Sequence, residues 1–415
     1  MNFDDTPAEA AFRHEARSWI AANAPQELRP WLERSAFAAI TLADGVDTIA
    51  AQKDWQKRKY DAGWGCVQWP RRYGGRDASA MQRLIWDQEE GVFRKLSTVF
   101  GINLGISGPT ILHCGTDAQK AKLLPPCISG EHVWCQLFSE PSGGSDLAGL
   151  RTRAERAGEG WVVNGQKIWT SRAHDADWGL LIARTDPSVP KHAGLTMFVV
   201  GMDRPGIEIR PIRTIDGQAE FAEVFFTDVR VPDDQRIGAI NDGWRVALTT
   251  LMNERVHSGT ELPTGFEEVF DFCAGFATEN GLAIDDPRVK SRLAQWAVRS
   301  SGLHYTALRA ISQQSNGQVP GPENSIGKLV ASSMMQEIAK FALDLQAEAG
   351  VMADAQYAPY AARFQARLME SPAQRILGGT DEIQRNIIAE RVLSLPPDIR
   401  VDKGIPFNKA TATKA

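Results

Sequence analysis

The sequence predicts an α+β fold in three parts: an N-terminal helical domain, a central β-barrel or β-sandwich domain and a C-terminal four-helix bundle. Two changes of period carry this reading. Apolar residues recur at helical spacing up to about Gly130. From about His132 to Val231 they alternate or form short runs, and from Gly243 the helical spacing returns. The expected domains are 1–130, 131–242 and 243–395, followed by a tail at 396–415. A chain of 415 residues is long enough to bury a large core and to split into packed domains.

In the first part, Phe12, Ala16, Trp19 and Ile20 fall on one side of a helix. The stretch 63–75, rich in Gly with Pro70 at its centre, reads as a structural connector. Gly115-Thr116-Asp117-Ala118-Gln119-Lys120 reads as a helix start, with Thr116 as the cap and Gln119 closing a capping box.

In the second part, 178–183, 195–200, 207–210 and 221–226 read as strands. Asn164-Gly165 stands between Trp161-Val162-Val163 and Lys167-Ile168-Trp169, which predicts a tight hairpin turn at that dipeptide. Short strands with Pro and Gly between them predict a barrel or sandwich.

In the third part, 244–256, 267–280, 289–315, 326–355, 359–368 and 381–393 read as helices with short connections, the pattern of a bundle. Pro359 fits a first helical position, and Thr380 fits an N-cap before Asp381 and Glu382. The small and polar residues after Pro396-Pro397 are expected to fray.

Composition excludes several classes. A formal charge of −5 gives no nucleic-acid footprint. Five cysteines without a C-x-x-C pair suggest neither a zinc site nor a disulfide framework, and a reducing cytoplasm is the expected compartment. The acidic start lacks the apolar run of a secretory signal, and no stretch is long and apolar enough for membrane insertion.

Two blocks carry the functional reading. Ser139-Glu140-Pro141-Ser142-Gly143-Gly144-Ser145-Asp146 is a small-residue turn whose backbone N–H groups and hydroxyls can approach a ligand. It is followed by Asn164-Gly165-Gln166-Lys167-Ile168-Trp169, with Thr170 and Ser171 behind the ring. In this order they resemble the central domain of the acyl-CoA dehydrogenase family, although Leu137 and Phe138 replace the family's small and aliphatic pair. Pro70-Arg71-Arg72-Tyr73-Gly74-Gly75, Gln119-Lys120 and Gly379-Thr380-Asp381-Glu382-Ile383-Gln384-Arg385 are similar to further family elements. The resemblance therefore spans nearly the whole chain. It implies that FAD is bound by Phe138, Ser139, Gly144, Ser145, Trp169 and Ser171, and by Thr380 and Glu382. Gln346 and Gly350 match a weaker block that meets the FAD of a neighbouring subunit. Ser145, Arg255 and Gly379 are implied to meet the acyl-CoA substrate.

The implied reaction, in fatty-acid β-oxidation and related lipid metabolism, removes an α-proton from an acyl thioester while a hydride leaves the β-carbon. It needs a carboxylate of raised pKa and fixed donors on the thioester oxygen. Many family members carry the base just before the Gly-Thr of the last block, where this chain has Gly378. A subset carries it in a Glu-Arg pair on the first bundle helix, which matches Glu254-Arg255. Trp244, Ala247 and Leu251 precede Glu254 at helical spacing. Periodicity alone leaves Glu254 open to a salt-bridge role, and the vacancy at Gly378 turns the reading to catalysis. Gly378 is then expected to give its N–H to the thioester oxygen.

The resemblance also implies an electron-transferring flavoprotein as acceptor and a homodimer or homotetramer. A hetero-oligomer or a supporting, non-catalytic subunit remains open. Asp286-Pro287-Arg288-Val289-Lys290 stands where the family's Arg-x-x-Phe adenine contact is expected. A flavin oxidase or monooxygenase is the other alternative, and a nucleic-acid-binding member lacks the basic extension it would need.

Overall fold

The computed structural model describes residues 4–34, 42–43, 45–259, 265–315, 318, 321–399 and 402–412. They belong to two compact units. One comprises Met1–Arg213, Ala219–Asn253 and Arg400–Ala415, and the other Thr214–Gln218 and Glu254–Ile399. The α+β class is the one observed: helices, a sheet, then helices.

In the first unit, Thr6 and Glu9 form a capping box on helix Pro7–Asn23, and Phe12, Ala16 and Ile20 are buried along one side. Trp19 packs at the margin of the same core, where Trp64 and Trp86 stack at 4.5 Å. The 63–75 stretch buries Trp64, Val67, Trp69 and Tyr73. A Cβ at Gly75 would stand 1.9 Å from the Trp69 carbonyl oxygen, so only glycine fits there. The Thr116–Gln119 capping box forms at the start of helix Asp117–Ser129. Gln119 Nε2 also donates to the Asp234 and Arg236 carbonyls at 2.6 and 2.8 Å, tying this helix to the end of the sheet.

The sheet has eight strands: β1 Trp134–Leu137, β2 Arg153–Ala157, β3 Gly160–Ser171, β4 Trp178–Arg184, β5 Leu195–Gly201, β6 Ile207–Ile212, β7 Phe221–Pro232 and β8 Arg236–Ile237. Their order is β6-β7-β3-β2-β4-β5-β8, with β1 parallel to β4. β2 and β4 meet through one parallel pair, Arg153 with Arg184. Across that seam the inner residues share one core, in which Trp161 of β3 meets Phe198 of β5 edge-on at 5.5 Å. The expected barrel or sandwich is thus a single sheet folded on itself, with β6 and β8 at its edges. β4 and β5 are covered on both faces. Leu181 and Phe198 face the interior, while Leu180 and Val199 join the core that includes Ile111 and Leu123 of the helices. Two-sided burial explains why these strands read as unbroken apolar runs.

The hairpin turn is not at Asn164-Gly165. β3 runs straight through that dipeptide, and the two-residue turn lies at Gly158-Glu159, between β2 and β3. Asn164-Gly165 instead makes a bulge against β7. Asn164 and Asp228 exchange hydrogen bonds there at 2.9 and 3.1 Å, and Asp228 has φ 52°. A Cβ at Gly165 would lie 2.5 Å from Thr152 Oγ1, so the glycine serves close approach, not chain reversal. β2 escaped prediction because its residues are mostly charged and it buries only Ala154 fully.

The second unit packs helices Phe266–Gly275, Pro287–Ser315, Asn324–Leu345 and Arg363–Gln374 around Phe272, Trp296, Met334, Ile338 and Phe364. Three expected helices end or begin elsewhere. The 267–280 helix stops at Gly275, because Ala277–Thr278 pairs with Gly281–Leu282 as a small hairpin. The 326–355 helix stops at Leu345 and continues as a 3-10 turn, Ala347–Val351. Pro359 opens only a short turn, since Tyr360, Ala361 and Ala362 have φ of 53°, 52° and 55°; the helix begins at Arg363.

The stretch expected to fray is docked in its described part. Phe407–Ala412 is helical, Pro406 bridges to Pro190, and the Phe407 N–H donates to the Val189 carbonyl at 2.9 Å. Among the described residues no helix is long and apolar enough to cross a membrane, and no His, Cys, Asp or Glu group is arranged to hold a metal ion. All five cysteines are free, and burial pushes the Cys66 and Cys273 thiols up to about 11.

Candidate active site

The structure joins the two central blocks. The Ser139 carbonyl accepts from the Ile168 N–H at 2.9 Å. Beneath this contact lies a buried ion pair that sequence reasoning did not single out. Lys167 Nζ is 2.8 Å from Glu140 Oε1, with the two side chains 0% and 4% exposed. Lys167 also donates to the Phe138 carbonyl, and Glu140 accepts from the Arg151 and Thr152 N–H groups at 2.6 and 2.9 Å. Burial raises the Glu140 pKa, but the Lys167 ammonium and these donors outweigh it and hold the carboxyl below its ordinary value. The available signal was Lys167 itself, a lysine on a strand with aromatic and aliphatic neighbours, which requires a partner.

Above the pair, Glu140 and Gly143 close a turn by exchanging backbone hydrogen bonds of 3.0 Å. Gly144 and Ser145 beyond it are exposed. The Phe138 side chain is buried in the core between sheet and helices. Leu137, which replaces the first residue of the family's small and aliphatic pair, is likewise fully buried, inside the sheet. Ser171 is half-buried and pairs with Phe221. Trp169 sits in the second β3 bulge at φ 57°, a conformation that costs an aromatic residue energy, and its side chain is 56% exposed. A strained, exposed indole offers a face on which a flat aromatic ring can stack.

In the second unit, Glu254 stands beside the Gly378 turn. A Cβ at Gly378 would lie 3.6 Å from Glu254 Oε1. Glu254 belongs to helix Gly243–Gly259, whose earlier residues Val246, Ala247 and Leu251 pack in the first unit's core. The Arg255 side chain falls outside the described residues. Gly378 and Gly379 have φ of 62° and 94°, successive left-handed residues that glycine adopts freely. Gln384 Nε2 donates to the Gly378 carbonyl at 3.0 Å, and Lys328 Nζ to the Gly379 carbonyl at 2.6 Å. Burial pulls the Lys328 pKa down, with Asp381 acting against it. A trans peptide places the next N–H opposite its carbonyl, so the Gly379 N–H is turned away from Gln384. Among the described residues, the Gly378 and Gly379 N–H groups donate to no backbone carbonyl. Lys328 and Gln384 thus orient the turn; Lys328 and Gly379 are far apart in sequence, which hid the role of Lys328.

Thr380 caps helix Asp381–Ile387, accepting from the Ile383 N–H at 3.3 Å. Arg375 grips Asp381 at 2.7 Å and fixes the start of that helix. Thr380→Ala is expected to lower stability by about 1 kcal/mol, the usual value of such a cap, measurable by urea unfolding. Gln346 and Gly350 form a separate group. Gln346 is buried, its Oε1 accepts from Gln365 at 3.2 Å, and its Nε2 has no partner among the described residues. A Cβ at Gly350 would meet the Leu343 carbonyl oxygen at 2.5 Å.

Comparison with known proteins agrees in all three parts. Residues 6–131, 135–229 and 241–393 match the N-terminal, middle and C-terminal domains of acyl-CoA dehydrogenase. The chain belongs to the acyl-CoA dehydrogenase family. The acyl-CoA dehydrogenase IpdE1 of Mycobacterium tuberculosis is 35% identical over 94% of this chain and 98% of its own. The acyl-CoA dehydrogenase FadE34 of the same organism is 39% identical over 86% of this chain, which spans only 48% of that longer relative. Among solved acyl-CoA dehydrogenase folds, a chain of the ChsE4-ChsE5 complex from Mycobacterium tuberculosis is 30% identical with a TM-score of 0.78, covering 96% of this chain and all of that one.

Proposed function

We propose that this enzyme carries out the FAD-dependent α,β-dehydrogenation of an acyl-CoA thioester to the 2-enoyl-CoA, with Glu254 as the base. The observation that carries the reading is the 3.6 Å approach of Glu254 Oε1 to the Cβ position of Gly378. The two places where the family's base is expected thus converge on one point in space, and this chain fills one and empties the other.

The residues present fit FAD: the first unit offers an exposed indole held at positive φ and the exposed Gly144 and Ser145, and in the second unit, among the described residues, the Gly378 and Gly379 N–H groups donate to no backbone carbonyl. Phe138, Ser139, Gly144, Ser145, Trp169 and Ser171 would hold it in the first unit. Thr380 and Glu382 would do so in the second, with Gln346 and Gly350 serving a neighbouring subunit. FAD supplies the hydride acceptor. Glu254 removes the α-proton, the Gly378 N–H steadies the thioester oxygen, and Gly379, Ser145 and Arg255 position the substrate. Loss of the α-proton and of a hydride from the β-carbon gives the substrate one double bond, and bound FAD would be the group that takes the hydride. An electron-transferring flavoprotein is the acceptor we favour, and the cytoplasm the compartment.

The purified protein is expected to be yellow and to release FAD on denaturation. Under anaerobic conditions straight, branched or ring-bearing acyl-CoA esters should bleach it, and the best of them names the acyl group. A colourless protein that takes up no added FAD would refute the proposal. A second reading, a hetero-oligomer with a different chain, draws on Asp286–Lys290 at the expected adenine contact and on the two-protein complex among the structural relatives. Purification with and without candidate partner chains separates it from a homodimer or homotetramer.

A further inference from the structure

The segment Asp402–Ala412 lies beyond the stretch that matches the family's C-terminal domain, which ends at residue 393. It is nevertheless built into the first unit at the base of the Ser139–Asp146 turn. Two cations make the connection. Arg184 is buried, and its guanidinium donates to the carbonyls of Ala148, Leu150 and Lys191 at 2.6, 3.1 and 3.2 Å. The Phe407 ring covers that guanidinium at 3.5 Å. Lys191 Nζ lies 2.9 Å from Asp146 Oδ1 and 2.6 Å from Asp402 Oδ2, bridging the turn to the segment. Backbone contacts align the two: Pro190 bridges Pro406, and the Phe407 and Asn408 N–H groups donate to the Val189 and Pro187 carbonyls at 2.9 and 3.0 Å.

The consequence follows from where these groups sit. Ala148 lies in the short 3-10 turn Leu147–Gly149 that follows the Gly143–Asp146 block, Leu150 comes directly after it, and Asp146 directly follows Ser145. Ser145 and Gly144 are exposed, so the block is held from its far end. A single exposed ion pair would hold little. A buried guanidinium with three carbonyl partners and a ring over its face holds more, because the ring excludes water from the charge.

We infer that Asp402 and Phe407 are positioning residues that pre-order the Gly144-Ser145 turn for the acyl-CoA thioester. The inference rests on the proposed placement of substrate at Ser145. The segment lowers the cost of ordering the turn at the moment of binding and takes no part in proton removal.

The test uses the full-length protein and its Phe407→Ala, Phe407→Trp and Asp402→Asn variants. Amide hydrogen exchange is followed across residues 142–150. Binding is titrated with 3-thiaoctanoyl-CoA, in which sulfur replaces the β-carbon and blocks dehydrogenation. Phe407→Ala and Asp402→Asn should speed exchange in the turn and weaken thioester binding about threefold to tenfold, the scale of ordering one or two side chains. The KM of a reactive thioester should rise in step while kcat stays within about twofold. Phe407→Trp, which keeps a ring over Arg184, should restore both readouts. Unchanged exchange and unchanged affinity overturn the inference and leave the dehydrogenase reading intact. Faster exchange with unchanged affinity does the same, as does a loss that Trp fails to rescue. A wild-type protein that binds no thioester overturns both.

Discussion

Glu254→Gln is expected to keep its FAD and still bind acyl-CoA, while flavin reduction by a good substrate slows by at least about a hundredfold, the low end of a general-base contribution. The amide preserves shape and polarity but cannot accept the α-proton. Rapid-mixing absorbance under anaerobic conditions measures this step apart from product release. The geometry at Gly378 permits a sharper version. In the double variant Glu254→Gly with Gly378→Glu, the new side chain starts about where the old carboxylate ended, since the Cβ position lies 3.6 Å from Glu254 Oε1. Recovery should be partial, because φ 62° at Gly378 suits glycine and a glutamate there carries strain of about 1–3 kcal/mol. A Glu254→Gln protein that reduces its flavin at the wild-type rate would remove Glu254 from the mechanism.

The second large effect concerns Lys167 and Glu140. Glu140→Gln leaves the Lys167 ammonium fully buried without its counter-charge, and stability should fall by about 3–5 kcal/mol. Lys167→Met should cost a comparable amount, and combining the two should cost less than their sum, as expected when partners share one interaction. Urea denaturation read by tryptophan fluorescence gives all three values. The pH dependence has a definite sign. The folded pKa of Glu140 lies below its ordinary value of 4.5, so the pair's contribution is complete above that value and fades as pH falls through the folded one. The wild-type midpoint should therefore drop in the acid range more steeply than that of Glu140→Gln. Parallel acid profiles would place the source of acid sensitivity elsewhere.

The same residues show how far sequence alone could reach. Strands buried on two faces, such as β4 and β5, were legible because burial on both sides makes most of their residues apolar. The capping box at Thr116 was legible because both partners lie within one turn. Asn164-Gly165 misled because the same permissive dipeptide serves a bulge as well as a turn, and what decides is Thr152, pressed against the glycine from another part of the chain. β2 carried too few apolar residues to show its period. In the candidate site, Glu254 and Gly378 could be named separately from the resemblance, yet only the fold sets Glu254 Oε1 3.6 Å from where a Gly378 Cβ would stand. The pairs Glu140–Lys167 and Lys328–Gly379 are long-range and charged or polar, and periodicity is blind to both. The docking of Asp402 and Phe407 was hidden because its stretch has the composition of a tail and its anchors, Arg184 and Lys191, are remote in sequence.

β6 has one further consequence, for solubility. Among the described residues it pairs only with β7, so its outer edge is a row of backbone groups that another chain could extend. The strand reads Ile-Glu-Ile-Arg-Pro-Ile, with Glu208, Arg210 and Pro211 exposed. Proline supplies no amide hydrogen to an incoming strand, and the two charges would be desolvated by one. The β6 edge is thereby a poor template for strand addition, which disfavours edge-to-edge association there.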